Sequence, residues 1–439
     1  PLQFPSINLI LIKSNNKHII NIGDFFMKKI ISILIILIVS FNIVSFADDK
    51  IEEESSKEVK EVIQTTAEVS KKPSINSRQA VVIDRNSKSI LYGKNENVKT
   101  KMASTTKIMT AMVVLQNTNL ENTVEVSKKA ALTGGSRLGL KEGDKITVRD
   151  LLYGLLLRSG NDAAVALAEY VGGSIEGFAK LMNENTIGLG LKNTHFVTPH
   201  GLDQEEHYTT AYELAIIADY ALKNKTFAQI VNTKNCTIHI NNYAKNLNNT
   251  NELLGNLNGV YGVKTGFTNG AGRCLVTSIK RENLDVICVV LGADTKKDRT
   301  KDSVKLIEYV FGNYKTINLT KDIEENFEKW NQINKNRIYI EKGKNNNLNL
   351  ALEKKEYTYP IENNTEDKIK MEIQANLDLK APVKKGTKIG ELTIYYKGEI
   401  INKINIVNLN EVNKKRIENY ILDFASNYDN YLEKIFEIK

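Results

Sequence analysis

Apolar and polar positions alternate with different periods along this chain, and the periods change in a fixed order. Ala80-Val81-Val82-Ile83, a polar turn at Asn86-Ser87-Lys88-Ser89 and Ile90-Leu91-Tyr92-Gly93 predict a β-hairpin. From 105 to 116 the residues Ile108, Met109, Met112, Val113 and Leu115 recur at helical spacing, with Ser104 or Thr105 as N-cap and Ser104 in the first turn. So apolar a helix must be largely buried. Helical patterns follow at 148–157 and 162–170 with a turn between them, then a loop with His195, His200 and Gly201, then a helix over 208–222. The runs 260–265, 274–279 and 286–291 read as neighbouring strands, and 304–309 as a closing helix.

Beyond about Thr316 the pattern shortens. Asn and Lys dominate, and alternating strands at 337–340, 370–377, 392–396 and 400–407 are separated by polar turns, which predicts a small all-β domain. The last stretch sets Ile417, Tyr420, Ile421, Phe424, Tyr428, Tyr431, Leu432, Ile435 and Phe436 on one helical face. Its polar face balances Lys414, Lys415, Arg416, Lys434 and Lys439 against Glu418, Asp423, Asp429, Glu433 and Glu437, without the cationic excess that anionic lipid selects. Packing on the β domain and peripheral membrane contact both remain open for it.

At the other end, Met27-Lys28-Lys29, the apolar run 30–39 and Ser45-Phe46-Ala47 predict a signal peptide over 27–47, cleaved before Asp48, with an uncleaved anchor as the alternative. Residues 1–26 read as an over-extended leader, and the charged stretch 48–73, poor in aromatics, as a flexible tether. The expected order is then a catalytic domain over 74–315, a β-rich domain over 316–410 and an amphipathic helix over 411–439.

Composition narrows the function classes. The net charge is +8; residues 1–47 hold Lys13, Lys17, Lys28 and Lys29 against Asp24, so the exported part keeps a mild excess, too diffuse to argue nucleic acid. Cys236, Cys274 and Cys288 are odd in number and lack metal-type spacing, and the latter two lie in strand-like runs, so buried free thiols are expected. The histidines show no zinc spacing. No metal or cofactor is expected.

Three short motifs remain: Ser104-Thr105-Thr106-Lys107, Ser159-Gly160-Asn161 and Lys264-Thr265-Gly266. Each alone is weak, since Ser14 with Lys17 and Ser14-Asn15-Asn16 match the first two in the leader by chance. At a helix start, however, positions i and i+3 share a face, so Lys107 reaches the Ser104 hydroxyl. Serine needs an adjacent base, and lysine serves only if burial and a neighbouring cation lower its pKa far below about 10.4. Lys264 is a candidate for that cation. Ser159 is placed to bridge the two lysines and pass a proton to a leaving amine, and Asn161 to orient Lys107. On the strand, Lys264 and Thr265 suit a carboxylate, and Gly266 lets an extended ligand lie along the edge.

The ordered set is that of the serine penicillin-recognising enzymes. With Met102 to Thr110 (MASTTKIMT), LLRSGNDA, NTHFVTPHGLD and GVKTGFT, the chain from about Ser74 to Tyr314 resembles the low-molecular-mass penicillin-binding proteins that are serine-type D-Ala-D-Ala carboxypeptidases. Residues 381–386 and 389–392 are similar to the C-terminal β domain of such enzymes. The resemblance implies an α/β (α+β) β-lactamase/transpeptidase-like fold, an antiparallel sheet flanked by helices. It also implies hydrolysis of the terminal D-Ala-D-Ala bond of peptidoglycan stem pentapeptides through an acyl-enzyme on Ser104, acylation by β-lactams, and action outside the cytoplasm. Lys107 is then the acylation base, Ser159 and Asn161 complete the catalytic set, Lys264, Thr265 and Gly266 bind substrate, and the N–H groups of Ser104 and Phe267 form the oxyanion hole. His200-Gly201-Leu202 reads as a structural loop. Some relatives hold the carboxylate with an arginine in the segment matching 208–213; here none occurs between Arg158 and Arg273, which leaves Lys264 and Thr265 alone or aided by Arg273. A β-lactamase would need a group to activate the deacylating water, and no E-x-x-L-N stretch lies between Asn161 and Lys264. A D,D-endopeptidase would use the same machinery on a different leaving group, and a non-catalytic sensing module would have no need to keep Ser104, Lys107, Ser159 and Lys264 all intact.

Overall fold

A computed structural model describes residues 60–62 and 71–436, with side chains of the last helix described to 428 and at 432. The expected leader and signal peptide lie outside the described residues, as does most of the tether.

Five strands build the central antiparallel sheet: β1 (Gln79–Asp84), β2 (Ile90–Lys94), β3 (Val260–Thr268), β4 (Gly272–Arg281) and β5 (Leu284–Ala293), in the order β2-β1-β5-β4-β3. The period of two sorts their side chains into two cores. Val81, Ile83, Ile287, Val289 and Leu291 join the larger cluster, whereas Ala80, Val82, Val286, Cys288 and Val290 face the other, closed by helix Lys296–Asn313. Both faces being covered explains why these strands read as continuous apolar runs.

In the larger core lies α1 (Lys107–Asn117), buried at every position from Lys107 to Val114. A 3-10 turn, Ala103–Thr106, precedes it, and the N-cap is Thr106, without a side-chain cap bond. Ser104 and Thr105 therefore do not cap: they belong to that turn, and the Thr105 hydroxyl donates back to Met102 O at 2.6 Å. Around α1 pack α2 (Val148–Leu156), α3 (Asn161–Gly172), α4 (Ile175–Gly188) and α5 (Ala211–Leu222). The last starts later than its periodicity suggested, because Thr210 caps it by accepting from Glu213 N, while Tyr208 and Thr209 bridge to His195 and Thr100.

After the sheet, strand Tyr314–Asn318 pairs with Thr358–Glu362, and helix α6 (Thr320–Asn334) intervenes where only strands were expected. Ile323, Phe327 and Trp330 form its inward stripe. A four-stranded sheet follows, ordered Leu350–Leu352, Glu399–Asn408, Lys388–Tyr396, Ile369–Ala375, over an apolar core that includes Leu392, Ile394, Ile404 and Ile406. The final helix, α7 (Ile417–Phe436), leaves Ile417, Ile421, Leu422, Phe424 and Tyr428 exposed, so these apolar residues, among those described, are not packed on the β region. Among the described residues no helix is long and apolar enough to cross a membrane.

Candidate active site

The 3-10 turn, the α2–α3 turn and the edge strand β3 bring the three motifs together. Lys107 Nζ lies 2.8 Å from Ser104 Oγ, 2.7 Å from Asn161 Oδ1 and 2.8 Å from the His200 carbonyl oxygen. Lys107 is fully buried, and burial first, then the Lys264 charge, push its pKa well below the ordinary value, only partly opposed by Asp162. The neutral amine has two N–H donors and one lone pair. With Asn161 Oδ1 and His200 O as acceptors, the lone pair is left for the Ser104 hydroxyl.

Asn161 is itself held, since its Nδ2 donates to Gly134 O at 2.7 Å. Beside it, Asp162 accepts from the N–H groups of Leu138, Gly139 and Leu140 at 2.8, 2.7 and 3.0 Å, which fastens that loop over the middle motif. Ser159 is buried with φ at +62°, a sparsely populated backbone state held by the turn. The expected direct bridge from Ser159 to the lysines is not formed: Lys264 Nζ donates to Thr265 O at 2.9 Å.

On β3, Lys264 is buried, and burial together with the Arg299 charge lowers its pKa to about 7. Thr265 Oγ1 pairs with Thr250 Oγ1 at 2.8 Å. A Cβ on Gly266 would sit 3.1 Å from the Ser104 nitrogen and 3.2 Å from Met102 O, so glycine is what lets the strand press against the nucleophile's turn. Phe267 is 47% exposed, with the Arg273 guanidinium 3.8 Å above its ring centroid. Buried Arg299 pairs with Glu252, which also accepts from Thr300 Oγ1 at 2.6 Å. Arg299 reaches the site from the helix behind the sheet, and no spacing in the sequence pointed to it.

The loop around His200 does more than hold shape. Its carbonyl is an acceptor for Lys107, and a Cβ on Gly201, at φ +86°, would stand 1.9 Å from Ala103 O. A backbone acceptor leaves no residue-type signal in sequence. Behind the turn, Val197 N donates to His207 Nδ1 at 2.9 Å, so Nε2 carries the hydrogen and donates to Thr106 Oγ1 at 2.8 Å, which donates to Ala103 O at 2.8 Å. Burial lowers the pKa of His200 to about 3 and of His207 to about 4, keeping both neutral. Cys274 and Cys288 are buried free thiols and Cys236 is half-buried.

Comparisons with known proteins place the chain among relatives of one activity. Residues 65–295 match the D-alanyl-D-alanine carboxypeptidase family, and residues 325–414 match the penicillin-binding protein 5 C-terminal domain. The D-alanyl-D-alanine carboxypeptidase DacF of Bacillus subtilis is 34% identical over 381 residues, 85% of this chain and 92% of that protein. The D-alanyl-D-alanine carboxypeptidase DacA of Escherichia coli K12 is 30% identical, covering 80% of this chain and 87% of its own. Among solved structures, penicillin binding protein 5 from Haemophilus influenzae superposes with a TM-score of 0.66 at 29% identity, over 78% of this chain and 99% of that one. The Streptomyces K15 DD-transpeptidase gives 0.53 at 36% identity over 55% and 99%.

Proposed function

Because the chain belongs to the D-alanyl-D-alanine carboxypeptidase family, we propose that its three motifs perform that hydrolysis in the following way. The enzyme is a serine-type carboxypeptidase that removes the terminal D-alanine from peptidoglycan stem peptides and is acylated by β-lactams. The observation that carries the residue roles is the trio of contacts on Lys107, a buried amine whose lone pair is left for the Ser104 hydroxyl.

Neutral Lys107 takes the Ser104 proton as Oγ attacks the carbonyl carbon of the penultimate D-alanine. The oxyanion that forms meets the N–H groups of Ser104 and Phe267, donors that need no reorganisation during reaction. Lys264 and Thr265 hold the substrate carboxylate at the edge of the sheet. The proton moves from Lys107 through Ser159 to the departing amine, and water, activated by Lys107, then hydrolyses the acyl-enzyme.

We assign the chemistry to 74–315 and a supporting role to 316–410. The enzyme works outside the cytoplasm on the cell wall, and the exposed apolar residues of α7 support peripheral contact with the outer face of the cytoplasmic membrane.

The test is D-alanine release from a synthetic pentapeptide ending in D-Ala-D-Ala, with Ser104→Ala alongside and a fluorescent penicillin as active-site label. Release and labelling should both fall by more than ~10³-fold in the variant. Labelling of the native enzyme without release would overturn the carboxypeptidase assignment in favour of an endopeptidase or a sensing module.

A further inference from the structure

We propose that Asp203 is a positioning residue that sets the spacing between the two walls of the active site, the loop that accepts from Lys107 and the strand that carries Lys264 to Phe267. The inference rests on the reading of Ser104 and Lys107 as nucleophile and base.

The loop 198–203 is tied on one side to the nucleophile's turn and the base's helix. Thr110 Oγ1 donates to Pro199 O at 2.6 Å, Lys107 Nζ to His200 O at 2.8 Å, and Gly201 packs against Ala103 O. Two bonds stay within the loop: Gly201 N to Thr198 Oγ1 at 3.1 Å and Leu202 N to His200 Nδ1 at 3.1 Å. Asp203 turns the other way. Its Oδ1 accepts from Thr268 Oγ1 at 2.7 Å and its Oδ2 from Gly270 N at 3.0 Å. Thr268 Oγ1 also accepts from Ala271 N at 3.0 Å, so the hydroxyl's one hydrogen is committed to Asp203 and its orientation is set from both sides.

Thr268 is the last residue of β3 and follows Phe267 directly. That strand is the edge of the sheet, with β4 on one side and, among the described residues, no strand on the other, so no ladder on its outer side resists splaying of its tip away from Ser104. Asp203 does so with both oxygens, through charge-assisted bonds that are about twice as strong as neutral ones. One end of the brace holds the acceptor that orients Lys107, the other the backbone expected to bind the oxyanion. Misplacing reacting groups by about 1 Å costs ~10²-fold, which is the scale of effect a missing brace would have.

The experiment uses the mature chain and three variants, Asp203→Ala, Asp203→Asn and Thr268→Val, and measures the acylation rate constant with fluorescent penicillin, kcat and KM for D-alanine release, and Tm. Asp203→Ala should lower the acylation rate constant and kcat by ~10- to 100-fold with KM changed less than about threefold. Asp203→Asn, which still presents an acceptor, should recover most of the rate, and Asp203→Ala with Thr268→Val should be no worse than Asp203→Ala alone. A lower Tm with acylation within about twofold of native in Asp203→Ala, or additive losses in the double variant, would overturn the proposal. If Asp203→Ala does not fold, Thr268→Val decides alone, a several-fold slower acylation supporting the brace and an unchanged rate refuting it. The native enzyme in the same assay tests the underlying reading, so the two failures are distinguishable.

Discussion

The two halves of this molecule treat charge in opposite ways. Around the motifs, the basic side chains of Lys107, Lys264 and Arg299 are buried and His200 and His207 are buried neutral rings, whereas the buried polar residues described beyond 320 are Asn334, Thr393 and Asn408, none of them ionisable. The C-terminal region keeps its ion pairs at the surface, as in Lys388 and Lys403 on Glu391 or Lys397 on Glu362. Burying an ionisable group disfavours its charged form and costs stability. The first half tolerates that cost because a lysine that is neutral near physiological pH can act as a base; the second has no such use for it.

The largest expected effect on this contrast comes from Lys264→Met. It removes both the proposed carboxylate partner and the charge that helps depress Lys107, so penicillin acylation should fall by ~10²-fold. The pH profile carries the sign. Lys107 must be neutral, so the rate rises with pH through its pKa; deleting a neighbouring positive charge stabilises its protonated form, raises that pKa and moves the acid limb to higher pH. An acid limb that stays in place would show that burial alone tunes Lys107 and that the two lysines are not coupled.

How much of this contrast was legible in the sequence depends on which atoms make it. Ser104, Lys107, Asn161 and Lys264 converge as their order and spacing suggested, because each uses a side chain at a helix start or on a strand. His200 contributes a carbonyl and Arg299 a charge from a distant helix, and neither leaves a pattern in residue type. The fold shows the same division. Strands with both faces buried announce themselves, but α4 buries only Phe178, Ala179, Met182 and Thr186 of its 14 residues, and α6 hides its three-residue stripe among Asn, Lys and Glu. The hairpin of Asn235–Ile240 and Tyr243–Asn248 falls in the stretch after 222, whose pattern reads as strand-rich without marking these two strands. Its signal was present: Asn241 and Asn242 both take positive φ in a two-residue turn, a preference that asparagine announces.

A smaller effect separates the halves by acid. His207 has its pKa lowered to about 4 by burial against an ordinary value near 6.5. Between those values the unfolded chain binds a proton that the folded chain does not, so stability rises with pH across the window and is lost as pH falls from about 6.5 toward 4. At about 1.4 kcal/mol per unit, His207 accounts for up to ~3 kcal/mol, and His200 adds a loss of the same sign. Urea unfolding followed by penicillin labelling reports the catalytic region, while the fluorescence of Trp330, the sole tryptophan, reports the C-terminal one. Going from pH 7 to pH 5 should lower the labelling midpoint more than the Trp330 midpoint, and His207→Gln should shrink the difference. Equal shifts at both probes would mean that the halves unfold as one cooperative unit.

The smallest expected effect is at Glu391, and it completes the contrast because its pKa is shifted as clearly as that of any buried histidine. Hydrogen bonds from Lys388 and then Lys403 hold it at about 2. The shift has the opposite meaning. A carboxylate with a lowered folded pKa adds stability above its ordinary range, and loses it only as pH falls from about 4.5 toward 2, below the window in which the histidines act. Water and salt reach this pair of bridges, so the attraction is screened and two long lysine side chains lose freedom to form it. Glu391→Gln should therefore move the Trp330 melting midpoint by about 1 °C or less at moderate ionic strength, by less again in high salt, and leave acylation unchanged. A large, salt-resistant loss would place Glu391 with the buried groups of the catalytic half, and the contrast would then be one of location rather than of charge handling.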